Sequence, residues 1–313
     1  MSPFAWTRAR WLGHDNPGMK DITPDDLTSN LKLVAKKNEQ HRSTVRVKSQ
    51  VIGAESFVVM AGPCAIESRE QVLDIAEHVK AAGAHVLRGG AFKPLTFPYR
   101  NARMFELREE GLRYLREAGD RTGLPVVTEV MDIRLVETVV QYADMLQIGA
   151  RNMQNFPLLE AVAKAGKPVL LKRHFGSSLR DWLGAAEYLL YHGNPSVVLC
   201  ERGIVAPHTH ATASRFIVDL QVVPAAQEYT HLPIIVDPSH ATFRRRYVAP
   251  VARAAMAVGA DGIILDVHPQ PEQAAVDPLQ ALTYEAFDRL MRQLDAIAPA
   301  VGRTLTYETP VGT

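Results

Sequence analysis

The sequence predicts an α/β protein, a closed (β/α)8 TIM barrel with a short N-terminal extension. Three observations predict it. From residue 57 onward, an apolar run of strand length is followed eight times by a polar stretch with helical spacing. Short apolar runs alternating with helices of about 10 to 15 residues imply parallel βαβ units, and eight such units suit a closed barrel better than an open sheet. No G-x-G-x-x-G follows the first run, which argues against a dinucleotide-binding sheet. The length of 313 residues holds one barrel of about 250 residues with an arm to spare.

In chain order, residues 1–53 are polar and punctuated and are expected to form an arm. Within it "DDLTSNLKLVAKK" is predicted as a short amphipathic helix, and the alternating "STVRVKSQV" as a small hairpin. The arm is expected either to be a partly ordered tail or to pack on the barrel floor or on a neighbouring subunit. The barrel is placed at 54–300, with strands at "FVVMAGP", "HVLRGGAF", "PVVTEV", "MLQIGA", "PVLLKR", "VVLCERG", "PIIVDPS" and "GIILDVH", and residues 301–313 are a tail.

Composition narrows the partners. With 35 Lys+Arg against 34 Asp+Glu and no sustained basic block, neither a nucleic-acid groove nor a membrane-binding face is expected. No run reaches the roughly 20 apolar residues of a membrane span, and the N-terminus lacks an apolar secretion signal. The two cysteines, Cys64 and Cys200, build no disulfide framework, so a cytoplasmic protein acting on a small molecule is expected.

Chemistry concentrates at the C-terminal ends of the strands, which in a barrel converge on one mouth. They carry Cys64, Arg88 and Lys93, Glu129, Gln147 and Arg151, Lys172, Glu201 and Arg202, Asp237 and His240, and Asp266 and His268. Like charges such as Arg88, Lys93, Arg151, Lys172 and Arg202 held in one mouth need an anion, and guanidiniums with lysines suit a small molecule bearing phosphate and carboxylate. Arg202 alone could instead pair with Glu201 or Glu129. Cys64, His240, Asp266 and Asp277 offer a mixed sulfur, nitrogen and oxygen set that fits Mn2+, Fe2+, Co2+ or Zn2+ better than Mg2+. Taken singly, Cys64 reads equally as a small buried hydrophobe and His240 as a neighbour of a helix N-cap.

The motifs "AGPCAIES", "RGGAFKP", "QIGARNMQNF", "PVLLKR", "CERGI", "DPSHAT" and "DVHPQPEQA" together resemble type I 3-deoxy-D-arabino-heptulosonate 7-phosphate (DAHP) synthase, of the branch similar to 3-deoxy-octulosonate 8-phosphate synthase. The resemblance covers roughly residues 44–297. It implies a barrel that condenses phosphoenolpyruvate with a phosphorylated aldose, erythrose 4-phosphate, using a divalent metal and releasing phosphate in the shikimate pathway. Carried over by motif, it implies that Arg88, Lys93, Gln147, Ala150, Arg151, Lys172 and Arg202 hold phosphoenolpyruvate, and that Cys64, His240, Asp266 and Asp277 hold the metal. Leu95, Thr96, Phe97 and Asp237 complete the substrate-facing set. Lys93, Glu129 and His174 are the candidates for catalysis, and a homotetramer or homodimer is expected.

Three departures from that pattern bear on the second substrate and the metal. Where the family reads K-P-R-T-S this chain has "KPLTFPY", so Leu95 and Phe97 stand where an arginine and a serine help seat the aldose phosphate. In "ERGIVAPHTHATASR", Val205 replaces a further arginine in a longer loop with His208 and His210. Arg100, Arg103 or the run 244–246 could restore a phosphate clamp. Asp266 replaces a glutamate, one methylene shorter. An enzyme using a different, unphosphorylated aldehyde is therefore an alternative, and a non-catalytic phosphoenolpyruvate-binding barrel is a second. The first 50 residues are too short and polar for a ferredoxin-like feedback domain, so unregulated activity, or regulation through a partner, is expected.

Overall fold

The computed structural model describes residues 29–93, 106–207 and 216–305. Two antiparallel strands, β1 (Val45–Val47) and β2 (Gln50–Ile52), precede the barrel as the predicted hairpin. Eight parallel strands follow: β3 (Val58–Gly62), β4 (Val86–Arg88), β5 (Val126–Glu129), β6 (Met145–Ile148), β7 (Val169–Lys172), β8 (Val197–Glu201), β9 (Ile234–Val236) and β10 (Gly262–Asp266). They close in sequence order, with β10 pairing back onto β3. Each strand matches one of the eight predicted apolar runs.

The strands are rich in Val, Ile and Leu because both of their faces are buried. Alternate residues divide between two cores. Val58, Met60, Val86, Val127, Met145 and Leu170 point inward with Val198, Cys200, Ile235 and Ile264. Val59, Leu87, Leu146, Leu171 and Leu265 point outward and pack under the helices. These helices are α1 (Arg69–Ala81), α2 (Arg108–Thr122), α3 (Val136–Tyr142), α4 (Phe156–Lys164), α5 (Leu179–Tyr191), α6 (Val222–Tyr229), α7 (Pro238–Thr242), α8 (Arg245–Ala257) and α9 (Tyr284–Ile297). Among the described residues no helix is long and apolar enough to cross a membrane.

The hairpin closes the barrel floor. Val45, Val47 and Ile52 are buried in the same cluster as the residues that open the strands, so period-two alternation in "VRV" drives its apolar face into the barrel while Arg46 faces out. The last described residues return to the same place, where the Thr304 amide donates to the Glu55 carbonyl and the Phe57 amide to the Thr304 carbonyl.

One predicted element is corrected. The helix expected in "DDLTSNLKLVAKK" does not form over 29–37; its first four residues lie outside the described ones. The amides of Lys32, Leu33 and Val34 all donate to the Glu187 carboxylate of α5, and Ala35 bridges to Thr230. Leu31 and Val34 are buried against the core in this irregular path. Their i, i+3 spacing mimics a helix, but Glu187 supplies the acceptors a helix would have supplied.

Candidate active site

The mouth of the barrel gathers the strand ends into two interleaved clusters. In the first, Cys64 lies just past β3, His240 in the opening turn of α7, Asp266 at the end of β10 and Asp277 in the loop beyond it. Cys64 Sγ is 3.8 Å from His240 Nε2 and 3.4 Å from Asp277 Oδ2. His240 Nε2 is 3.7 Å from Asp266 Oδ2 and 4.0 Å from Asp277 Oδ2. Cys64, His240 and Asp266 can each offer one ligand atom within 4.8 Å of the others, and Asp277 closes on two of them. Asp277 has φ +52° and precedes a proline, a left-handed conformation of the strained kind that collects at ligand clamps.

Electrostatics favours a cation here. Burial opposes the charged form of His240, yet Asp237 and Asp266 overcome it and raise its pKa to about 9. Burial likewise opposes ionisation of Asp266, but His240 and Arg88 hold its carboxyl below the usual range. Burial also opposes ionisation of Asp237, which His240 and Lys172 hold well below that range. The carboxylates of Asp266 and Asp277 and a thiol around one imidazole are a donor set that suits a divalent ion of the softer first-row kind.

The second cluster is cationic and tied to the first. Arg88, ending β4, donates from Nη1 to Asp266 Oδ1 at 2.6 Å and to the Pro63 carbonyl at 2.9 Å. Its Nε is buried without an acceptor among the described residues, a donor left over for a ligand. Burial lowers the guanidinium pKa, but Asp266, Cys64 and Asp237 more than reverse it and hold it above its ordinary value. Lys93 Nζ donates to the Cys64 carbonyl at 2.9 Å and to Cys64 Sγ at 3.2 Å. Burial works against its charge too, and Cys64 with Asp277 and Glu129 outweighs burial and the opposing Arg88, raising it. Gly90 permits this bend, since a β-carbon there would stand 2.6 Å from the Cys64 carbonyl oxygen and 2.9 Å from Lys93 Cδ.

Lys172, ending β7, donates to Asp237 Oδ2 at 2.5 Å, both nearly fully buried. Asp237 Oδ1 accepts from the His240 amide at 2.9 Å, and Oδ2, the oxygen that takes Lys172, lies 2.9 Å from His240 Nδ1. Asp237 thus fixes the ring whose Nε2 faces the first cluster. Arg202 donates from Nη2 to the His240 carbonyl at 3.2 Å, and its guanidinium lies 4.3 Å over the Phe216 ring. Gln147 donates to Glu129 Oε2 at 3.2 Å. Ala150 and Arg151 open the 3-10 turn after β6, with the Arg151 side chain exposed. Gly149 lets that turn pass, because any side chain there would collide with the Glu129 carboxylate.

His174 stands apart from these clusters, and other predicted residues lie outside the described ones. His174 sits on the rim, where its Nδ1 accepts from the Gly176 amide at 3.1 Å and its ring packs on Phe175. Leu95, Thr96 and Phe97 lie outside the described residues, as do Arg100, Arg103, His208 and His210. Of the other arginines offered as a clamp, Arg245 is committed to Glu272 and the Ala281 and Pro278 carbonyls, and Arg246 stacks on Tyr247.

Sequence reasoning passed over several residues. Gln280 donates to Asp266 Oδ2 at 2.5 Å, and the Ser239 hydroxyl accepts from the Asp266 amide at 3.0 Å. Arg173 is buried and donates to Glu201 at 3.1 Å and Asp219 at 2.8 Å, so it is Arg173 that engages Glu201. The only signal for Arg173 was its place beside Lys172 in "LLKR".

The model of the DAHP synthetase I family matches residues 34–300. A phospho-2-dehydro-3-deoxyheptonate aldolase of Thermotoga maritima is 44% identical over 272 residues, covering 87% of this chain and 78% of that protein. Its crystal structure superposes with a TM-score of 0.81 over the same shares of the two chains, and a truncated form of the Thermotoga maritima synthase, 42% identical, gives 0.79 over 87% of this chain and 98% of that one. A 2-dehydro-3-deoxyphosphooctonate aldolase of Syntrophobacter fumaroxidans is 31% identical over 79% of this chain and 89% of its own length. With that model matching most of its length, this chain belongs to the DAHP synthetase I family.

Proposed function

We propose that the chain condenses phosphoenolpyruvate with an aldehyde, erythrose 4-phosphate being the acceptor the family resemblance implies, to give a 3-deoxy-2-keto acid and inorganic phosphate. One observation carries this: the cations and the metal-type ligands interlock, Arg88 on Asp266 and Lys93 on Cys64, so an anion held by the cations lies beside the ligand cluster. Arg88, Arg151, Lys172 and Arg202 bind the phosphate and carboxylate, Gln147 and the Ala150 backbone orient them, and Asp237 positions Lys172 and His240.

Cys64, His240, Asp266 and Asp277 would hold Mn2+, Fe2+, Co2+ or Zn2+. Such an ion supplies Lewis acidity toward the aldehyde oxygen when bound. The C3 carbon of phosphoenolpyruvate attacks the aldehyde carbon, forming the new C–C bond, and the aldehyde oxygen takes a proton for which Lys93, beside Cys64 of the ligand cluster, is the candidate donor. Water then adds at C2, giving up its proton to Glu129, with His174 as the second candidate base. The C2–O bond to phosphate breaks, phosphate leaves with the electron pair and takes up the remaining C2 hydroxyl proton, and C2 becomes the ketone.

Phosphate release from phosphoenolpyruvate should require both an aldehyde and a divalent ion, and mass spectrometry should find a product joining the two carbon skeletons. Binding of phosphoenolpyruvate with no turnover for any aldehyde would instead support a non-catalytic barrel.

A further inference from the structure

Resting on the reading of Cys64, His240, Asp266 and Asp277 as a metal site, we infer that Glu67 is a positioning residue for that metal: its carboxylate holds the loop that delivers Asp277. The four ligands reach the cluster by different routes. Asp266 ends β10, and its two oxygens accept from Arg88 and from Gln280. His240 stands in the first turn of α7 with its ring against Asp237, and Cys64 follows β3 closely, beside Lys93. Asp277 comes instead from the long connection between β10 and α9.

Two side chains grip that connection, one on each side of Asp277. Ahead of it, Glu67 Oε1 accepts from the Ala275 amide at 2.8 Å, and His268 Nε2 lies 3.8 Å from the same oxygen. Behind it, Arg245 donates from its side chain to the Pro278 carbonyl at 3.2 Å and the Ala281 carbonyl at 2.7 Å, and from its amide to the Leu279 carbonyl at 2.7 Å. Between the two grips Asp277 keeps its left-handed backbone at φ +52°, a conformation that persists only where the surroundings impose it.

Glu67 is the grip that starts from the ligand cluster itself. It lies three residues after Cys64, on a turn that is fixed from within: its amide donates to Gln71 Oε1 at 3.1 Å, Gln71 Nε2 donates to the Ala65 carbonyl at 3.3 Å, and the Ser68 hydroxyl accepts from the Gln71 amide at 3.1 Å to cap α1. One carboxylate-to-amide bond therefore joins the segment that carries the thiol ligand to the segment that carries the last carboxylate ligand. Bonds of this charge-assisted kind are stronger than neutral ones. Without it the metal would have to order the leading side of the loop as it binds, and that entropy is subtracted from its affinity. The Glu67 side chain is 26% exposed, so truncating it opens no cavity in the core.

The test is a Mn2+ titration of the chelator-stripped full chain without substrates, the free ion being read by electron paramagnetic resonance. Glu67→Ala should raise the Kd about ten- to a hundredfold. Glu67→Gln, whose amide oxygen still accepts from Ala275, should recover most of that loss. Asp277→Ala should weaken binding as well, and adding Glu67→Ala to it should cost nothing further, because the oxygen that Glu67 positions is already gone. At saturating Co2+, Glu67→Ala should keep the thiolate-to-metal absorption band of Cys64, showing that the other ligands stay in place. A native Kd in Glu67→Ala, or losses that add in the double variant, overturns the inference while the metal site stands. Native Mn2+ binding by Asp277→Ala overturns the ligand assignment, and the inference with it. None of these readings needs turnover, so they stand apart from the outcome of the condensation assay.

Discussion

The two ends of this barrel are built from the same strands and treat charge in opposite ways. At the floor, Asp261 and Arg303 are both buried and tie chain segments together: Arg303 bonds Asp261 at 3.1 Å and the Ala54 and Gly259 carbonyls, while Asp261 accepts the Ile234 amide. Each charge there has an opposite partner, Arg303 on Asp261 and Lys48 of the hairpin on Asp144, and the hairpin's apolar face packs into the barrel. At the mouth, Arg88, Lys93, Lys172 and Arg202 crowd around Asp237, Asp266 and Cys64, and Arg88 keeps a buried donor unused. The floor is electrostatically finished and the mouth is not. Residues at the floor should therefore govern stability, and those at the mouth activity.

The largest effect that would sharpen this contrast is metal removal. Stripping the protein with a chelator should abolish phosphate release and Mn2+ should restore it, while Cys64→Ser should weaken Co2+ binding, followed by the thiolate-to-metal absorption band, because an alcohol replaces a soft ligand. Full activity of metal-free protein would break the contrast at its root. Next comes the floor: Arg303→Ala leaves Asp261 buried without its partner and should cost about 3–5 kcal/mol, read by denaturant unfolding, with the KM for phosphoenolpyruvate unaltered. A changed KM with unchanged stability would reverse the assignment of the two ends.

A smaller effect is expected for Arg151→Ala. Its side chain is exposed in the turn after β6, so stability should hold while the KM for phosphoenolpyruvate rises about tenfold from one lost charge-assisted contact. Unchanged saturation by phosphoenolpyruvate would remove Arg151 from the site. The smallest effect belongs to the outside of the barrel, where Arg69 and Glu117 form a surface ion pair screened by solvent; Glu117→Gln should leave the denaturant midpoint and the kinetics at native values.

The eight strands were legible because parallel strands buried on both faces read as continuous apolar runs, and the charged residues that end them were conspicuous for the same reason. Strand ends of a closed barrel must meet, so Arg88 and Asp266 could be placed together although they are 178 residues apart. Gln280, Ser239 and Asp219 were not legible. Each sits on a loop or a short helix, and its contact depends on how that segment folds back over the mouth, which no periodicity encodes. Lys172 and Asp237 were read as two substrate contacts, but no spacing says that they bond each other. The misread helix at 29–37 has a similar origin, since the three acceptor bonds from Glu187 come from about 155 residues away.

The most direct measurement follows the bridging oxygen of phosphoenolpyruvate. With that oxygen isotopically labelled, and with Mn2+ and an accepted aldehyde present, condensation at the mouth with C–O cleavage sends the label into inorganic phosphate and leaves the joined carbon product unlabelled. Label retained on the organic product, or pyruvate appearing in place of a joined product, would contradict it.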